Sequence, residues 1–251
     1  MNSLEEMSEL LYRFRQEGKE HQVANLAFKL GDLYREKGEF ERALPLLEEA
    51  QGLCIKYENT PGESVVSLSL GELHLAIGHA EQAEILAKRA YHGCVKADDV
   101  KGRVRAALLL GDIHWSREEP GKALVPYQEA LELCSTFEDA LGSGILLDRI
   151  AKMHRMLEED EKAFSYFEEA LKRWDKLSIF DRKAMTFSNL GDLCKKKGDF
   201  AKAISYHEQA MALYRQLKDL PAVQATEQEL EALRASKEEH AKEVSTKIGS
   251  D

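Results

Sequence analysis

The chain of 251 residues sets 35 Lys and Arg against 45 Asp and Glu, a net charge of −10, which argues against nucleic acid or anionic membrane as partners because both need a basic surface. At 43% hydrophobic and 32% charged residues it is too apolar for general disorder, and its purely apolar runs are short, such as AALLL at 106–110, against roughly 20 residues for a membrane span. Proline is scarce and Ala, Glu, Leu and Lys dominate, which favours helix; the acidic start MNSLEEMSELL has no basic segment ahead of an apolar one, so a cytoplasmic protein is expected.

In chain order, residues 1–19 read as an N-terminal flanking helix, amphipathic over 3–17. Residues 20–219 then divide into five units of 40. Gly31, Gly71, Gly111 and Gly191 lie on a 40-residue grid, with Ala151 in the remaining place. Twelve residues after each anchor stands Ala43, Ala83, Ala123, Ala163 or Ala203, and seven further on Ala50, Ala90, Ala130, Ala170 or Ala210. Leu30, Leu70, Leu110, Ile150 and Leu190 immediately precede the anchors. In the first unit a helix is expected over 22–37, stopped by Gly38, where a left-handed backbone costs little. A second helix carries Ala43, Leu46, Leu47, Ala50 and Leu53 as an i, i+3, i+4, i+7 stripe. Gly31, Ala43 and Ala50 are small, so the two backbones can approach closely.

Asn59, Asp99, Asp139 and Asp219 stand just before the next helix as caps, and Thr60-Pro61-Gly62-Glu63 also fits a capping box with proline at the first helical position. Residues 220–235 read as a C-terminal capping helix, which keeps Leu230 but carries Glu231 where the anchor belongs. Residues 236–251 form a polar tail expected to fray or to be disordered. The expected fold class is all-α, a solenoid of stacked antiparallel helical hairpins.

Leu30-Gly31, Tyr34, Ala43 and Ala50, with Tyr127 and Phe167 as the aromatics before the second alanine, resemble the signature of the tetratricopeptide repeat (TPR) family over residues 20–235. The usual 34-residue unit is lengthened to 40, as in Pins-type scaffolds, bacterial Rap-type regulators and the helical domains of some transcription activators. The resemblance implies a right-handed superhelix that acts as a protein-interaction scaffold and binds a peptide or helix of a partner in a groove lined by the first helices. An alternative is a regulatory or sensor module controlling a kinase, phosphatase or transcription factor. The fold alone does not choose between them.

Nothing reads as catalytic. Gly121-Lys122 lacks the earlier glycine of a P-loop, Gly142-Ser143-Gly144 is a helix connection, and His207-Glu208 is not followed by a second histidine. Cys54, Cys94 and Cys134 share one column and read as small buried thiols, as does Cys194. His74, His114 and His154 fill the column of Tyr34 and need no ligand role. No cofactor and no metal are expected, and the sequence specifies no oligomeric state.

The family's groove positions are −2, +1 and +4 from the anchor. The −2 column gives Lys29, Ser69, Leu109, Arg149 and Asn189. The +1 column gives Asp32, Glu72, Asp112, Lys152 and Asp192, and the +4 column Arg35, Leu75, Trp115, Arg155 and Lys195. The acidic +1 column lacks the asparagines of a chaperone-tail clamp. Leu75, Leu109 and Trp115 would form an apolar patch, with Trp115 either a binding anchor or a packing residue. Unit four deviates: Ala151 replaces the anchor glycine, Lys152 breaks the acidic column with Arg149 and Arg155 flanking it on one face, and Glu158 replaces the turn glycine. The basic rung reads either as charge pairs between neighbouring units or as a hot spot for an acidic side chain or a helix carrying both charges and an apolar residue.

Overall fold

The structure is a computed structural model and describes residues 4–248. Among these residues it is all-α, twelve helices without a strand, and no helix is long and apolar enough to cross a membrane. The chain divides into two compact units, Met1–Cys134 and Ser135–Asp251. In the first, α1 (Leu4–Gln16) is followed by the hairpins α2 (Glu20–Glu36) and α3 (Phe40–Lys56), then α4 (Thr60–Ala76) and α5 (Ala80–Lys96), then α6 (Val100–Ser116) and α7 (Pro120–Thr136). The second holds α8 (Ala140–Met156) with α9 (Asp160–Leu177), α10 (Phe180–Lys196) with α11 (Phe200–Leu217), and α12 (Leu220–Ile248). Consecutive helices pack within each unit, and α4 also touches both α2 and α6.

The hairpins close as the period requires. All ten alanines of the two columns are fully buried. The anchors leave no room for a side chain: a Cβ on Gly111 would lie 2.2 Å from Tyr127 Cε1, and one on Gly31 2.9 Å from Leu47 Cγ. Each first helix ends in a Schellman arrangement. At the first, the Gly38 amide donates to the Arg35 carbonyl and the Glu39 amide to that of Tyr34, with Gly38 at φ +76°. The same turn at unit four is made by Glu158 at φ +59°, and at unit three by Glu118 at φ +58°. Glutamate at the turn is therefore no peculiarity of unit four.

Asn59, Asp99, Asp139 and Asp219 cap as expected, accepting from the amides of Gly62, Gly102, Gly142 and Ala222. Such caps contribute about 1 kcal/mol each. The capping box at Thr60 is corrected: α4 already includes Thr60, and the side chain satisfying the orphan amide is that of Asn59. Gly62 and Gly102 are small because the cap and a cysteine converge on them: a Cβ on Gly102 would lie 2.4 Å from Asp99 Oδ2 and 2.5 Å from Cys94 Sγ. The four cysteines are buried free thiols, and burial pushes those of Cys54, Cys94 and Cys194 up, away from reactive thiolate.

The C-terminal helix differs from the reading. It does not end at Ala235 but continues to Ile248, because SKEEHAKEVSTKI contains neither glycine nor proline and is rich in good helix formers. Residues 249–251 of the polar tail lie outside the described residues.

Candidate functional site

In the first unit the +1 and +4 columns meet across successive first helices. Arg35 Nε on α2 donates to Asp32 Oδ1 at 2.8 Å, and its Nη1 lies 3.2 Å from Glu72 Oε2 on α4. Arg105 Nη2 on α6 reaches the same Glu72 carboxylate at 3.2 Å. Burial opposes the Arg35 charge, but Asp32 and Glu72 outweigh it and hold its pKa above the ordinary value. An Asp32–Arg35–Glu72–Arg105 chain thus runs over one face shared by α2, α4 and α6. Lys29 is exposed beside it, while Leu75 and Trp115 are half-buried. Asp112 accepts from the Tyr127 hydroxyl at 2.5 Å.

Leu109 is corrected: it is 4% exposed and belongs to the core, so it cannot extend an apolar groove patch. The reason is volume. Opposite the anchors Gly31, Gly111 and Gly191 stand Leu47, Tyr127 and His207, but opposite Gly71 the equivalent residue is only Ala87. Leu109 Cδ2 fills that space, 2.9 Å from where a Gly71 Cβ would be. Ser69, in the same −2 column, is buried as well.

An unanticipated cleft of about 240 Å³ opens between α2, α3 and α4, lined by Ala24, Phe28, Leu53, Val65 and Val66 with Asn25 and Asn59 as polar members. At its rim the His21 and Tyr57 rings pack with centroids 4.2 Å apart, and the Tyr57 hydroxyl donates to Glu20 Oε2 at 2.6 Å.

In the second unit Arg155 Nη1 on α8 donates to Asn189 Oδ1 on α10 at 3.1 Å and lies 3.7 Å from Asp192 Oδ2. Lys195 Nζ continues the pattern to Glu229 Oε1 on α12 at 2.6 Å. Charge pairs between neighbouring first helices are therefore present at Arg155 and Lys195. Unit four also carries a buried polar cluster of its own. Trp174 is fully buried and its ring lies 2.5 Å from where a Gly144 Cβ would be. Its Nε1 donates to Asp148 Oδ2 at 3.2 Å, and Thr186 Oγ1 donates to Asp148 Oδ1 at 3.0 Å. Burial raises the Asp148 pKa to about 6, against the two hydrogen bonds and the nearby Lys152. Lys152 and Arg149 are half-buried on the same helix, and burial lowers the Lys152 pKa.

The histidine column is structural. His114 Nδ1 lies 2.9 Å from Glu119 Oε2 and His154 Nδ1 2.5 Å from Glu159 Oε2, each clasping the turn into the next helix. His74 instead stacks on His79.

The sequence reading missed Asp148 and His207, though both carry a signal. Asp148 stands in the mostly apolar column of Phe28, Leu68, Leu108 and Ser188, and His207 in the column of Leu47, Ala87, Tyr127 and Phe167. A polar residue in an apolar column marks a buried polar group that must find partners.

Comparison with known proteins agrees with this geometry. The tetratricopeptide repeat family model matches residues 22–93 and 142–216. No curated protein matches the chain in sequence. Among solved structures, a Signal Transduction ATPase with Numerous Domains (STAND) protein with a tetratricopeptide repeat sensor, from Pyrococcus horikoshii, is similar at TM-score 0.75 and 18% identity over 88% of this chain; the chain spans 33% of that protein. Aspartyl phosphate phosphatase F from Bacillus subtilis is similar at TM-score 0.73 and 16% identity, covering 88% of this chain and 58% of that one. A Rap protein complexed with Competence and Sporulation Factor gives TM-score 0.67 and 15% identity over 90% and 69%. At these identities the likeness concerns the fold.

Proposed function

The chain belongs to the tetratricopeptide repeat family, and from that premise we propose that it is a non-catalytic adaptor binding a peptide or helix of a partner protein along the first-helix face of its units. The observation that carries the reading is the Asp32–Arg35–Glu72–Arg105 chain. It lines up charged side chains of three successive first helices on one face, half-exposed and of alternating sign. Such a surface suits the polar backbone and mixed charges of a peptide better than a small apolar ligand. Arg155, Asn189, Asp192 and Lys195 serve the same role in the second unit, and the cleft beside Phe28 would take an apolar anchor side chain. A cytoplasmic location belongs to the same reading. The test is capture of the partner by the full chain followed by crosslinking mass spectrometry. Crosslinks from Lys29, Lys152 and Lys195 are expected; crosslinks only from second-helix lysines such as Lys88, Lys162 and Lys172 would refute the assignment of the face.

A second reading, a sensor module, is favoured by the similar architecture of a tetratricopeptide repeat sensor and of a Rap protein in complex with a factor. It requires that a peptide bound to this chain alter the activity of a protein it contacts, which the adaptor reading does not.

A further inference from the structure

Three helices of the second unit each send one potential metal ligand to a single point. Asp192 comes from α10, His207 from α11 and Glu229 from α12, and one donor atom of each lies within 4.8 Å of the other two. His207 is 3% exposed, and its Nε2 has no hydrogen-bond partner. That nitrogen lies 3.5 Å from Asp192 Oδ1. An orphaned buried imidazole nitrogen is costly unless something occupies the space before it. Elsewhere in the chain the equivalent contact is closed directly: Tyr127, in the column of His207, donates its hydroxyl to Asp112, in the column of Asp192. Histidine is shorter than tyrosine, and the gap it leaves is bordered by two carboxylates.

We infer that Asp192, His207 and Glu229 form a binding site for a divalent transition-metal ion of the Zn2+ class, which ties α12 to the last hairpin. Zinc bonds imidazole nitrogen and carboxylate oxygen at about 2.0–2.2 Å, so tetrahedral donors stand about 3.4 Å apart. The Asp192–His207 separation of 3.5 Å is close to this value, and a Glu229 oxygen lies within 4.8 Å of the other two donors. One nitrogen and two carboxylates leave a fourth position for water. The imidazole selects a borderline ion over Mg2+ or Ca2+, which take oxygen ligands. Burial lowers the His207 pKa, which favours the uncharged ring that a metal ion requires. Two cations oppose metal binding: Lys195, whose ammonium bonds Glu229 Oε1, and Arg155, whose Nη1 lies 3.7 Å from Asp192 Oδ2; both would have to withdraw.

The experiment is calorimetric titration of the tag-free, chelator-stripped full chain with ZnCl2, with thermal unfolding and Co2+ absorption in parallel. One ion per chain, a raised Tm and a cobalt spectrum without a thiolate charge-transfer band are expected. His207→Phe tests the assignment without sacrificing the fold, because Phe167 fills the same column; with unchanged helicity it should weaken binding at least tenfold and abolish the Tm rise. Asp192→Asn should weaken binding likewise, and Lys195→Met should tighten it. Absence of binding to the native chain, a thiolate band, or binding that survives His207→Phe would overturn the inference.

Discussion

Asp148→Asn should make the protein more stable at neutral pH and should do so in a pH-dependent way. The carboxyl is 8% exposed, and burial lifts its pKa from 3.8 to about 6. That rise corresponds to about 3 kcal/mol. Below pH 3.8 the group is protonated both folded and unfolded and contributes nothing to the pH dependence. As pH rises the unfolded chain ionises first, so stability falls, and the loss is complete above about pH 6. Asparagine removes the loss and can keep the contacts. Thr186 Oγ1 also lies 2.9 Å from the Arg182 carbonyl, so its hydroxyl can donate there and accept from the asparagine amide, while the asparagine carbonyl accepts from Trp174 Nε1. Losing the attraction to Lys152 trims the gain to about 1–3 kcal/mol at pH 8, a Tm rise of about 2–4 °C per kcal/mol. Urea unfolding of both chains at pH 4, 6 and 8, followed by circular dichroism, measures it. A difference independent of pH, or a variant less stable than the native chain at pH 8, would refute the reasoning.

Gly111→Ala should destabilise by about 1–3 kcal/mol, because its Cβ would fall 2.2 Å from a Tyr127 ring that is itself fully buried. Gly52→Ala, with nothing within 4 Å of the new Cβ, should instead stabilise by up to about 1 kcal/mol; paired thermal melts check both signs. Glu118→Gly and Glu158→Gly should each raise stability by about 1 kcal/mol, since both hold a left-handed backbone that glycine adopts without strain. Equal or lower Tm in both would count against turn strain.

The 40-residue period made the hairpins legible because packing partners recur at fixed separations along the chain. Gly31 and Ala43 announced close backbone contact, and Asp99 and Asp139 announced caps, from local spacing alone. The candidate face was legible only as columns. Leu109 shared a column with exposed Lys29, yet it is buried because Ala87 is too small to cover Gly71. The charge pairs at Arg35 and Arg155 required the +4 position of one hairpin to meet the next hairpin's first helix, which spacing suggests but does not establish.

What the sequence by itself determined is the repeat: two helices per 40 residues, their small contact points, their caps and their membership in one all-α family. Those features depend on neighbours at most a hairpin away. What only the tertiary structure decided is where the pattern's exceptions go. Asp148 sinks beneath Trp174, and Asp192, His207 and Glu229 converge from α10, α11 and α12. Each depends on the volume and donors of side chains on other helices, which a one-dimensional period does not encode.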